Sequence, residues 1–180
     1  MPLLNSVTTP YAEAFLQVAD DSNQTEEIVS QIKEILSLMN ESPELEKALS
    51  SPILEKECKK NILVEVFSEK INQSLLNLLK LLADRQRIGI LIPILERFLE
   101  LYRENSNIAL ATVTSAVELS DEQKDLITKK ISAIAGTEKL ELVTKTDSKL
   151  IGGFIASVGS KVIDASLSSQ IRKLGLSLSK

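Results

Sequence analysis

Apolar residues recur at two different periods along this 180-residue chain, and the change falls near residue 105. Before it the period is helical. Ile28, Ile32, Ile35, Leu36 and Met39 mark one face of a helix that begins after Asp21. Ile62, Val66 and Phe67 belong to a fourth helix, Leu75 to Leu82 to a fifth, and Leu91 to Tyr102 to a sixth, with Pro93 tolerated in its first turn. Thr9-Pro10, Ser42-Pro43 and Ser51-Pro52 each read as a helix cap followed by a first-turn proline. Connections are short, which predicts antiparallel neighbours packed as a bundle.

After the segment from Arg103 to Ala109 the pattern alternates. Ile108, Leu110, Thr112 and Thr114 interleave with Ala109, Ala111, Val113 and Ser115, as a strand requires. Ser120 and Gln123 form a capping box for a helix with an apolar stripe at Ile127, Ile131 and Ile134, closed by Gly136. Lys139 to Lys145 alternates again. The expected fold is therefore α+β: a six-helix bundle over residues 1–105, then a small α/β domain over 106–180 containing a β-hairpin.

Charge changes at the same boundary. Residues 1–105 hold 11 Lys/Arg against 17 Asp/Glu, whereas residues 106–180 hold 10 against 8. With a net charge of −4 and six aromatic residues, the chain lacks the basic footprint and the stacking surfaces of a nucleic-acid binder. It has no histidine, which removes the commonest general base and metal ligand. The lone Cys58 can form neither an internal disulfide nor a zinc cluster, and fits a reducing compartment. No apolar run approaches the ~20 residues of a membrane span, and the start lacks a signal-peptide pattern. Membrane association is expected only through a partner.

Three of the six glycines fall between residues 152 and 159, in LIGGFIASVGSKVIDAS. A phosphate-binding loop needs four residues between its glycines, then Lys-Ser/Thr and a helix. Here Gly153 and Gly159 enclose five residues, the pair is Ser160-Lys161, and a β-like segment follows. The better reading is a hairpin: Phe154, Ala156 and Val158 share one strand face, Gly159-Ser160 makes a two-residue type II′ turn, and Val162 and Ile163 lie on the returning strand. Gly152-Gly153 marks a bend or bulge leading into it. The acidic pairs Asp20-Asp21, Glu26-Glu27 and Asp121-Glu122 fall at expected helix starts, where the dipole favours them. Asp84, Arg85 and Arg87 make a charged turn, either a solvated loop or a polar contact to a partner. No catalytic constellation and no cofactor or metal site emerges.

Excess apolar surface carries more information. In the first helix Val7, Tyr11, Ala14, Phe15 and Val18 form one stripe, and Ala12, Leu16 and Ala19 extend a second. Leu75, Leu76, Leu78, Leu79, Leu81 and Leu82 cover most of the fifth helix. An amphipathic helix normally needs one apolar stripe. Either these helices form a thick core, or a groove between them accepts a partner helix.

Three stretches resemble a known family. PYAEAFLQVA is similar to the opening helix of the delta subunit of F-type ATP synthase, whose mitochondrial equivalent is the oligomycin-sensitivity-conferring protein. LLADRQRIGILIPILERFLELY resembles the segment joining that family's fifth and sixth helices, with Arg87 as the matching arginine. IGGFIASVGSKVIDASLSSQIRKLGLSL resembles its C-terminal signature. Ser160, Ala165 and Ser168 depart from the bacterial pattern and bring the stretch nearer to the chloroplast and cyanobacterial branch. The resemblance implies a non-catalytic stator protein, present once per complex. Its N-terminal domain would bind the N-terminal helices of alpha subunits, and its C-terminal domain the b-type peripheral-stalk subunits. It would sit peripherally on the cytoplasmic or stromal face of a thylakoid or plasma membrane. The groove residues expected on this basis are Tyr11, Ala12, Phe15, Leu16, Ala19, Leu75, Leu78, Leu79 and Leu82. Phe154, Ile171 and Leu174 are the expected stalk contacts.

Overall fold

The computed structural model describes residues 2–136, 139–159 and 161–178, with side chains placed for 6–133, 136, 139–159 and 161–172. It is a mixed α and β fold, and the chain divides into two units, Met1–Tyr102 and Arg103–Lys180.

The first unit contains α1 (Pro2–Asp21), α2 (Thr25–Glu41), α3 (Pro43–Ser50), α4 (Lys56–Phe67), α5 (Gln73–Asp84) and most of α6 (Leu91–Asn105), with a 3₁₀ turn at Ile88–Ile90. Their apolar faces meet in one core. Ala12, Leu16 and Ala19 of α1, Ile28, Ile32 and Ile35 of α2, Leu75, Leu79 and Leu82 of α5, and Ile94, Leu95 and Phe98 of α6 are all buried there. The rings of Phe15 and Phe98 meet at 5.4 Å between centroids and tie α1 to α6. Small alanines at positions 12 and 19 let the neighbouring helices approach α1 closely, which fixes the side that turns inward.

Three expected helix starts are corrected. Thr9-Pro10 is not a cap, because α1 begins at Pro2 and runs through Pro10. Proline has no N–H to donate and usually bends or breaks a helix interior; burial of Ala12, Phe15 and Leu16 just beyond it holds the helix together. Ser51-Pro52 lies in a turn, and α4 starts at Lys56 with Glu55 at its N-cap. Only Ser42-Pro43 opens a helix, with Pro43 in the first turn of α3; the Asp20-Asp21 pair, also expected at a helix start, instead closes α1, since α2 begins at Thr25.

The second unit contains β1 (Ala109–Ser115), α7 (Asp121–Ala135), β2 (Leu140–Thr146), β3 (Phe154–Val158), β4 (Lys161–Asp164) and α8 (Leu167–Leu178). The sheet order is β2-β1-β3-β4. β1 and β2 are parallel, joined by α7 as a strand–helix–strand crossover, while β3 and β4 pair antiparallel to their neighbours. The Ser120–Gln123 capping box opens α7, and Gly136, at φ 74°, closes it. Ile127 and Ile131 of α7 bury against Ala111, Val113, Ala156 and Val158, which share one sheet face. The Ile134 side chain lies outside the described residues.

The glycine stretch shows why its spacing is not that of a phosphate loop. Val158 pairs with Lys161, so the hairpin connection has two residues, and Gly159 takes φ 55°. The type II′ assignment depends on Ser160, which lies outside the described residues. Gly153, at φ 78°, is crossed by the chain leaving β4: a Cβ there would lie 2.3 Å from the Ala165 carbonyl oxygen and 3.0 Å from Ser166 Cα. Leu167 N donates to Gly152 O and Ala165 N to Phe154 O, at 2.9 and 3.0 Å. The paired glycines are therefore the seat on which the Asp164–Leu167 segment rests.

That segment also starts α8. Ser169 N donates to Ser166 Oγ, and Ser166 N donates 2.9 Å to Asp164 Oδ1. Hydrogen bonds from Ser166, hydroxyl first and then backbone N–H, hold the Asp164 carboxyl below its ordinary value. A folded pKa below the unfolded one contributes stability that is complete above the ordinary carboxylate range and is lost as pH falls toward the folded value. Asp164→Asn is expected to shallow the acid-unfolding profile of the second unit in that window and leave the neutral-to-alkaline profile unchanged in shape. Equal acid slopes for the two proteins would contradict this role.

Candidate functional site

α1 and α5 lie side by side and leave an open, mostly apolar groove of about 290 Å³. Tyr11, Ala14, Phe15 and Val18 form one wall; Ser74, Asn77, Leu78 and Leu81 form the other. The spacing is that of successive turns on each helix, so the walls are parallel ridges. Val18 and Leu81 are 49% and 44% exposed, a large fraction for apolar side chains that line a cleft.

Polar contacts fix both ends. At the start of α5, Asn72 caps the helix by accepting from Ser74 N, and its Nδ2 donates 2.9 Å to Gln24 Oε1 in the α1–α2 turn. Asn72 N donates to Gln31 Oε1 at 2.7 Å. Beyond the far end of α5, Arg87 Nη1 donates 2.7 Å to the Tyr11 hydroxyl, with the guanidinium carbon 5.6 Å from the ring centroid. Both the charged turn and the opening helix singled out in the sequence thus meet at the groove's edge. Next to it, Lys60 Nζ lies 2.5 Å from Asp84 Oδ1, and this contact comes first among the causes that raise the Lys60 pKa.

The placement of the expected groove residues needs correction. Tyr11, Phe15 and Leu78 line the groove. Ala12, Leu16, Ala19, Leu75, Leu79 and Leu82 are at most 5% exposed and belong to the bundle core. Of the two stripes on α1, the alanine-bearing one faces the bundle interior, where small residues permit close helix approach, and the Tyr11–Val18 stripe lines the groove. Ala14, Val18, Ser74, Asn77 and Leu81 were missing from the expected set. Ser74 and Asn77 are the signal that could have found them, since polar residues interrupting a leucine-rich helix mark the side that meets solvent.

In the second unit Phe154, one of the expected stalk contacts, is half-buried and packs against the sheet–helix core. Ile171 is 62% exposed on α8. The Leu174 side chain lies outside the described residues.

Among the described residues no cluster of His, Cys, Asp or Glu could hold a metal ion, and no helix is long and apolar enough to cross a membrane. The features that stand out are an open apolar groove between two helices of the first unit and a distinct α/β second unit. Residues 7–178 match the ATP synthase delta (OSCP) subunit family. ATP synthase subunit delta of Prochlorococcus marinus strain MIT 9301 is 79% identical over 180 residues, covering 100% of both chains. The corresponding protein of strain MIT 9303 is 58% identical over 100% of this chain and 99% of its own. The fold matches a chain of the Toxoplasma gondii mitochondrial ATP synthase hexamer with a TM-score of 0.71, at 19% identity, over 96% of this chain and 97% of that one. The chain belongs to the ATP synthase delta (OSCP) subunit family, whose members are non-catalytic components of the enzyme's peripheral stalk.

Proposed function

We propose that this chain is the stator link between the catalytic head and the peripheral stalk of a rotary ATP synthase. The helices of residues 1–105 act as a six-helix bundle on the crown of the head and receive the N-terminal helix of an alpha subunit in the α1–α5 groove. Residues 106–180 hold the ends of the b-type stalk subunits, with Ile171 the exposed candidate contact. One copy serves each complex, on the cytoplasmic or stromal side of a thylakoid or plasma membrane. Held at both ends, the link keeps the head from turning with the rotor, so torque is spent on the catalytic sites.

The open groove is the observation that supports the head contact. Each apolar side chain buried in it contributes ~1.5–3 kcal/mol. Three or four such burials exceed the lower estimates of the association cost, which leaves a specific complex. The test is capture of the alpha subunit's N-terminal segment, and separately of the stalk subunit, by the full chain and its Val18→Asp variant. The variant is expected to lose roughly tenfold or more for the alpha segment, the effect of a misplaced rim charge on an apolar contact, and nothing for the stalk. Equal capture of the alpha segment by both proteins overturns the groove assignment.

A further inference from the structure

The groove has a basic end and an acidic end. Tyr11 and Leu81, which line it, also line a polar hollow with Arg85 and Arg87. Both arginines are exposed. Arg87 donates to the Tyr11 hydroxyl, and the neighbouring carboxylate, Asp84, is paired with Lys60. The other end abuts the α1–α2 turn, because Asn72 at the start of α5 is bonded to Gln24. Gln24 lines a hollow with Asp20, Glu26 and Glu27. Asp21, exposed, follows Val18 by three residues and so continues the groove-facing stripe of α1. Between these ends the walls are apolar or neutral.

From this charge complementarity we infer that the groove takes a bipolar amphipathic helix in one direction only. The occupant's acidic end seats against Arg85 and Arg87, and its basic end lies over the α1–α2 turn. The inference rests on the groove being a helix-binding site, and adds how the helix is chosen and oriented. From Tyr11 to Val18 the walls run for about two turns, ~10 Å. Over that distance a reversed helix would place like charges together at both ends. Such juxtapositions disfavour wrong partners and wrong registers, and the preference weakens as salt rises because both ends are exposed.

The test uses the full chain, isotopically labelled, and designed peptides of about 16 residues, long enough to overrun the groove at 1.5 Å per residue. All carry the same leucine stripe. One has glutamates in its last turn and lysines in its first, a second reverses them, and a third has glutamine at both ends. A nitroxide on the glutamate end is expected to broaden the resonances of Leu81 and Arg85 and to spare those of Val18 and Ser74, for both charged peptides. Arg85→Glu, which leaves the Arg87–Tyr11 contact in place, is expected to weaken the charged peptides by roughly tenfold or more while changing the glutamine peptide little. If the glutamine peptide binds in the groove but the label broadens both ends equally, the orientation inference is overturned and the groove stands. If none of the peptides binds, the groove reading fails and the inference with it.

Discussion

Leu79→Asp is expected to unfold the first unit. Leu79 has no exposed surface and sits in the core with Leu75, Leu82, Leu95 and Phe98. A carboxylate there is unpaired and cut off from water, one of the few changes that exceeds ~4–5 kcal/mol. That approaches the whole stability of a typical domain, ~5–15 kcal/mol. Leu81→Asp, two residues along the same helix, is expected to do the opposite. At 44% exposure the new charge stays in water, so stability should change by no more than about 0.5 kcal/mol while binding of a helix in the groove weakens. Thermal unfolding followed by helical circular dichroism separates the two. A cooperative melt of Leu79→Asp near the wild-type temperature would mean that Leu79 is not a core residue.

Gly153→Ala should be the most damaging of the glycine changes. At φ 78° an alanine is strained by ~1–3 kcal/mol. The Ala165 carbonyl, 2.3 Å from the new Cβ, is backbone and cannot swing aside. The strand end and the start of α8 must separate, and with them the hydrogen bonds from Leu167 N and Ala165 N. Gly159→Ala is the control, since its φ is also positive at 55° but, among the described residues, nothing lies within 4 Å of the added Cβ. It should lose only the ~1–2 kcal/mol of a left-handed residue. Denaturant titration of the two variants should rank Gly153 as clearly worse. Equal losses would show that conformation alone matters and that the crossing contact is unimportant.

These two positions also show how much the sequence disclosed. The strand and helix periods located the elements, and the capping box at Ser120 and Gln123 located the start of α7. That the glycines shape backbone was legible from their spacing. The chain that crosses Gly153 was not, because the contact joins residues a dozen positions apart and leaves no periodic trace. At the groove, excess leucine on α5 and two stripes on α1 announced an apolar surface. The wheel of a single helix cannot tell which of two stripes meets its neighbours, since that depends on helix approach. Ala12 and Ala19, small and seven residues apart, decided it, leaving Tyr11, Phe15 and Val18 for the groove. Thr9-Pro10 misled for a related reason: a local helix-start signal was overridden by burial on the turns around it.

The central proposal, that the α1–α5 groove receives a helix from the catalytic head, is tested most directly by mapping amide resonances of the full chain as the alpha subunit's N-terminal segment is added. The expected result is a set of shifts at Tyr11, Ala14, Val18, Asn77 and Leu81 that saturates with the segment, with the amides of the second unit unmoved. Saturable binding whose shifts fall outside α1 and α5 would contradict it.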